Sequence, residues 1–137
     1  MIVNAENMIL GRLATYIAKK ALTGEKIDVV NAEKAVIVGK RRDILQKYKI
    51  RMERGHPYKG PFYPRHPERF VKRTIRGMLP YKLKKGRTAF ENIKCYIGIP
   101  EQLKDKKLET INDIKVKEYH MNFIQVKDLV KELGYNG

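Results

Sequence analysis

The chain has one cysteine, Cys95, no tryptophan, and no apolar run approaching the ~20 residues needed to span a bilayer. A single cysteine excludes an intramolecular disulfide framework and suits a reducing compartment. The N-terminus, MIVNAEN, lacks the basic segment and apolar stretch of a secretory signal, so a cytoplasmic protein with no membrane partner is expected. Catalytic motifs are missing too. There is no G-x-G-x-x-G and no G-x-S-x-G, and Gly39-Lys40-Arg41 lacks the earlier glycine and the following Ser or Thr of a phosphate loop. His56 and His66 lie ten residues apart with no zinc set around them, and His120 stands alone. Cys95, in a β-rich run, reads as a small buried hydrophobe rather than a nucleophile. No enzyme, catalytic residue, metal, cofactor or small-molecule substrate is expected.

Acids are scarce, and scarce in one place. Thirty Lys and Arg stand against fifteen Asp and Glu, for a net charge of +15 and a pI near 9.9. Residues 1–33 hold four bases and four acids, and residues 91–137 hold eight of each. Segment 34–90 holds eighteen bases and only Asp43, Glu53 and Glu68. The whole excess therefore lies mid-chain, whereas a merely solvated, lysine-rich surface would spread it along the sequence. Self-repulsion on this scale costs stability unless a polyanion neutralises it.

What is present suits one α/β domain. The 137 residues are 42% apolar, enough to bury about two-thirds of the unfolded surface. A strand over Met1–Asn4, a helix over Gly11–Leu22 and a strand over Ile27–Asn31 form a βαβ pattern and imply a parallel sheet. Val36–Val38 is another short apolar run, but four residues after Asn31 are too few for a parallel crossover, so its place stays open. Helices are expected over Lys40–Arg54, with Ile44, Leu45, Tyr48 and Met52 inward, over Glu68–Leu79, and from about Gln125 to Leu133. Gly86–Ile93 offers two helical turns, Lys94–Ile99 a strand, and Lys104–Glu118 a polar stretch. Residues 54–68 hold four of the six prolines and read as an extended loop.

The helix over Glu68–Leu79 divides its faces. At 100° per residue, Arg69, Lys72, Arg73 and Arg76 share a ~100° arc, and Val71, Ile75, Met78 and Leu79 lie roughly opposite. Such like charges repel by tenths of a kcal/mol per pair, which phosphates would offset. After Pro80, Lys82, Lys84, Lys85 and Arg87 continue the run without an acid. The loop adds Tyr58, Phe62 and Tyr63 among Arg54, Lys59 and Arg65. Tyr58 and Tyr63 are candidates for stacking on unpaired bases, while Phe62 serves equally well as a plug onto the core. With no helix-turn-helix, zinc or basic-zipper pattern, folded RNA is a better partner than DNA.

Three stretches in order, ILGRLATYIAKKALTG (9–24), VVNAEKAVIVGKR (29–41) and RTIRGMLPYK (73–82), with PYKGPFYPRHPERF between them, resemble the ribosomal large-subunit protein L-thirteen family in its archaeal and eukaryotic form. The resemblance runs to about Pro100. It implies a single three-layer α/β/α domain with a small, mainly parallel sheet of about four strands, here carrying a basic proline-rich arm. It also implies a non-catalytic role: binding large-subunit ribosomal RNA beside neighbouring ribosomal proteins and supporting subunit assembly. By position, Lys40, Arg41, Arg42, Arg73, Arg76, Gly77 and Lys82 fall in matching motifs and become RNA-contact candidates. Gly11-Arg12 and Asn31-Ala32-Glu33-Lys34 match as well, for fold and turn geometry as much as for RNA. An off-ribosome regulator that clamps messenger RNA fits the same charge map.

Overall fold

The computed structural model describes residues 1–54, 64–117 and 122–135. The loop residues Tyr58, Lys59, Phe62 and Tyr63, with His56 and His120, lie outside the described residues. Strand β1 (Ile2–Asn4), helix α1 (Leu10–Leu22) and strand β2 (Ile27–Val30) form the expected βαβ unit, with Val3 opposite Val29 in a parallel ladder. Strand β4 (Ile93–Cys95) pairs parallel to the other side of β2, giving the order β1-β2-β4. Strand alternation sends residues to both faces. Val3, Ile27, Val29 and Ile93 enter the main core, whereas Ile2 and Val30 meet Leu103, Tyr96, Ile99 and Leu108 on the far side.

Strand β3 (Val36–Val38) leaves this sheet. Asn31 turns the chain in the left-handed region (φ 56°), a conformation asparagine tolerates better than most residues. Its side-chain amide donates to Asn4 Oδ1 at 3.0 Å, tying the ends of β1 and β2 together. One 3-10 turn later, β3 pairs antiparallel with β5 (Phe123–Gln125), with Ile37 opposite Ile124. Asn31-Ala32-Glu33-Lys34 thus serves turn geometry: the Asn31 N–H donates to the Gly98 carbonyl, and the Gly98 N–H donates to Glu33 Oε2, at 2.9 and 3.0 Å.

The small parallel sheet of an α/β domain is present. Among the described residues it has three strands where about four were expected, because β3 and β5 make a separate pair. Helices α2 (Arg41–Glu53), α3 (Pro67–Gly77), α4 (Lys84–Glu91) and α5 (Val126–Glu132) each add buried apolar residues to those of α1 in the main core. The far face of the sheet is closed by chain that follows β4, with Leu103 in a 3-10 turn. Polar residues after that turn edge β1, where the Asn4 N–H donates to the Glu109 carbonyl at 3.0 Å and the Glu109 N–H donates to Ile2 at 2.7 Å. β4 stops at Cys95 because Tyr96–Gly98 clasp the Asn31 turn, and β5 occupies the start of what read as the last helix.

Candidate nucleic-acid interface

Pro67 opens α3 at its first turn, where a missing N–H costs nothing, and Glu68 sits favourably against the helix dipole. Phe70, Val71, Ile75 and Leu79 are buried, so the helix is anchored along one side. Met78 is not part of that side: it is 42% exposed. The helix ends at Gly77, and Met78 adopts cap geometry, so helical spacing no longer decides where its side chain goes. Its sulfur accepts a hydrogen bond from the Thr15 hydroxyl of α1 at 3.2 Å, and Phe70 supplies the bulk inside.

The four cations of the outward arc come together. Arg69, Lys72, Arg73 and Arg76, with Pro64 and Phe90, line a shallow groove of about 290 Å³ whose walls carry no acid. Glu68, one turn before Lys72, buries its Oε2 instead. Lys72 Nζ lies 4.7 Å from the Phe90 ring centre and Arg76 Cζ lies 5.3 Å from that of Tyr81. The Tyr81 and Phe90 rings meet edge to face at 5.5 Å. These two aromatics are absent from the sequence reading, which looked for stacking residues only in the loop. The available signal was the framing of LPYKLKKGRTAF: Tyr81 and Phe90 bracket the basic turn.

That turn is tightly built. The Leu83 N–H donates to the Pro80 carbonyl at 2.9 Å, and α4 crosses so closely that a Cβ on Gly86 would lie 2.0 Å from the same oxygen. Lys82, Lys84, Lys85 and Arg87 are exposed around it. Gly77 is exposed at the end of α3, with open space where a Cβ would go and no unusual φ. No fold requirement for glycine is visible there.

Helix α2 stands apart from this groove but touches its helix, since the Tyr48 and Phe70 rings are 5.0 Å apart. Ile44 and Tyr48 are buried and Leu45 and Met52 half-buried, the inward set read from spacing. Lys40, Arg41 and Arg42 are exposed at its start and Arg54 at its end, with Arg65 exposed before α3. Arg41 is bridged to Glu132 of α5 at 3.2 Å across open surface. Two further grooves flank α2: one includes Lys47, Arg51 and Arg54, and the other includes Arg41, Arg42 and Lys49. Both also contain an acid, Asp43 or Glu53, unlike the groove of α3. Lys47, Lys49 and Arg51 were legible only as part of the charge excess, not as individual candidates.

Among the described residues no cluster of His, Cys, Asp and Glu could hold a metal ion, and no helix is long and apolar enough to cross a membrane. Cys95 is half-buried against the main core rather than fully buried, and desolvation still pushes its thiol up to about 12, with Lys72 opposing and Glu68 adding to the shift, so it is neutral and a poor nucleophile near pH 7.

The sequence pattern of the family described as ribosomal protein L13 matches residues 1–102. The large ribosomal subunit protein uL13 of Archaeoglobus fulgidus is 42% identical over 99% of this chain and 88% of its own length. That of Methanosarcina barkeri is 44% identical, covering 97% of this chain and 96% of its own. The Methanococcus maripaludis protein of the same name reaches 53% over 74% of this chain and 77% of its own. With the basic groove, the parallel sheet and matches of this extent in agreement, the chain belongs to the ribosomal protein L13 family.

Proposed function

We propose that the chain is a structural constituent of the large ribosomal subunit that binds large-subunit ribosomal RNA directly and supports assembly of that subunit. Proteins of the ribosomal L13 family are structural ribosome components, not enzymes, and work in the cytoplasmic ribosome. The observation that carries direct RNA binding is the groove of α3, with four cations and no acid on one wall of a well-anchored helix. Arginine supplies three of the four, and its planar fork matches phosphate oxygens.

Residues 1–137 act as one domain of three-layer α/β/α type, whose RNA-facing segment is 34–90 and whose arm is 54–68. Core residues from Val3 to Leu133 in a single cluster support one domain. Lys40, Arg41, Arg42 and Arg54 at the ends of α2, with Lys59 and Arg65, add further RNA contacts away from the groove, and Lys82, Lys84, Lys85 and Arg87 continue the charged surface past Pro80. Gly77 lets the RNA backbone come close, and Tyr58 and Tyr63 stack on bases. Neutralised phosphates release counterions, which supplies affinity, while RNA shape sets position. Neighbouring proteins of the subunit pack against the remaining surface.

Binding of ribosomal RNA fragments tests this reading. With six to ten phosphates contacted, affinity falls on the order of 10³–10⁵-fold between 50 and 200 mM salt, taking the dependence measured for DNA. A nearly flat salt dependence would defeat the proposal. Arg73→Glu with Arg76→Glu should weaken binding while the thermal transition stays near that of the parent chain.

A further inference from the structure

We propose that Tyr81, braced edge to face by Phe90, forms a stacking step for one unpaired RNA base, whose phosphate is held by the cations of the α3 groove. The inference rests on the RNA reading above and adds a ligand class to it: an unstacked nucleotide, not a duplex backbone.

The argument starts from what a phosphate surface requires. Cations alone suffice for a backbone, and aromatic rings among them contribute nothing to phosphate neutralisation. Here Phe90 belongs to the groove wall, and the Phe90 and Tyr81 planes stand at 83° to one another. Tyr81 is 42% exposed although it sits beside a buried core. Arg76 lies over the Tyr81 ring and Lys72 over the Phe90 ring, so two of the four groove cations are already positioned by an aromatic neighbour. Base faces stack on such rings and on guanidinium planes, and sequence-tolerant recognition of single strands uses that combination.

Rigidity points the same way. The Tyr81 backbone is held by its N–H, which donates to the Leu79 carbonyl at 2.8 Å, and its ring by the edge-to-face contact with Phe90. A ring fixed this way loses little freedom on binding, which favours affinity. A base inside a duplex cannot stack on it, because both of its faces are already covered by the neighbouring base pairs. The acid-free walls match an anionic ligand and disfavour a cationic one.

The experiment uses the full chain and a fragment of large-subunit ribosomal RNA, with Tyr81→Leu, Tyr81→Phe and Arg69→Gln compared across salt. Stacking predicts that Tyr81→Leu weakens binding about tenfold at every salt concentration. Its slope against salt stays unchanged, and Tyr81→Phe binds like the parent. Arg69→Gln instead lowers the slope by about one phosphate equivalent. Equal loss in the Leu and Phe variants, a changed slope for Tyr81→Leu, or no loss at all overturns the stacking step. Crosslinking the unaltered protein to fragments carrying 4-thiouridine covers the case in which Tyr81→Leu unfolds. Adducts on Tyr81 or Phe90 are expected, and adducts elsewhere with none on either ring would sink the idea. If the unaltered protein shows no salt-dependent binding, the broader RNA reading fails rather than this detail of it.

Discussion

Cys95, Gly86 and Gly77 show how the surroundings of a single residue decide what changing it does. The Cys95 thiol ionises near 9 when free and at about 12 when folded, because burial disfavours the thiolate. Below pH 9 it is neutral in both states and favours neither. Above pH 9 the unfolded chain releases the proton and the folded chain does not, so stability falls as pH rises toward 12. Cys95→Ala should therefore flatten the alkaline decline in melting temperature relative to the parent chain. At neutral pH the parent thiol should be alkylated more slowly in the folded protein than in the unfolded chain. Gly86 and Gly77 make an opposite pair. Gly86→Ala puts a Cβ 2.0 Å from a backbone oxygen, an overpacking that costs ~1–3 kcal/mol and displaces the Tyr81 turn. Gly77→Ala meets open space at a helix end and should stabilise by up to ~1 kcal/mol. A drop in RNA affinity for Gly77→Ala despite that gain would identify a close approach by the RNA backbone.

At the scale of the element, α2 carries the clearest consequence. Its inward side is held by Ile44 and Tyr48, while Gln46 and Ile50 lie on the ridge shared by its two flanking grooves. Arg42 and Lys49 fall on one flank and Lys47 on the other, more than 100° apart at helical spacing, and Arg54, just past the helix end, lines the groove of Lys47. A single phosphate backbone cannot follow both. Arg42→Glu with Lys49→Glu, and Lys47→Glu with Arg54→Glu, should each lower the salt slope of RNA binding. Their effects should add when all four are combined, because the rows share no partner. Less-than-additive loss would mean that one flank alone meets RNA. The Arg41–Glu132 bridge is exposed on both sides, so removing it with Glu132→Gln should change stability by less than ~1 kcal/mol.

For the whole molecule, charge and core are interleaved rather than divided. Most of the main core comes from the two neutral flanks, yet its largest fully buried side chain is Phe70, from the basic segment. The same helix therefore carries part of the core and part of the excess charge. Without RNA the +15 chain repels itself, and salt screens that repulsion over a Debye length of ~10 Å at 0.1 M. Raising salt from about 10 to 300 mM should raise the melting temperature of the free protein by a few degrees while weakening its RNA complex. A free protein whose stability is indifferent to salt would show that the cations are already paired within the chain.

The sequence alone determined the class of the fold, the location of the charge and the orientation of α3, because each follows from local order. Alternation, helical spacing and proline placement act within a few residues, so β1, α1, β2 and the arc Arg69, Lys72, Arg73 and Arg76 were legible. The family resemblance stopped near Pro100, close to where the family pattern ends at residue 102. Tertiary structure alone decided what depended on distant partners. β3 pairs with β5 across more than eighty residues, Glu109 edges β1 while residues 114–116 pair with the turn that follows it, and Met78 leaves the core because α3 ends one residue earlier. The aromatic step was out of reach for the same reason: Tyr81 and Phe90 meet only because Gly86 lets α4 fold back under Pro80. Local pattern sets which residues can face a partner, and packing between distant segments sets which of them share one surface.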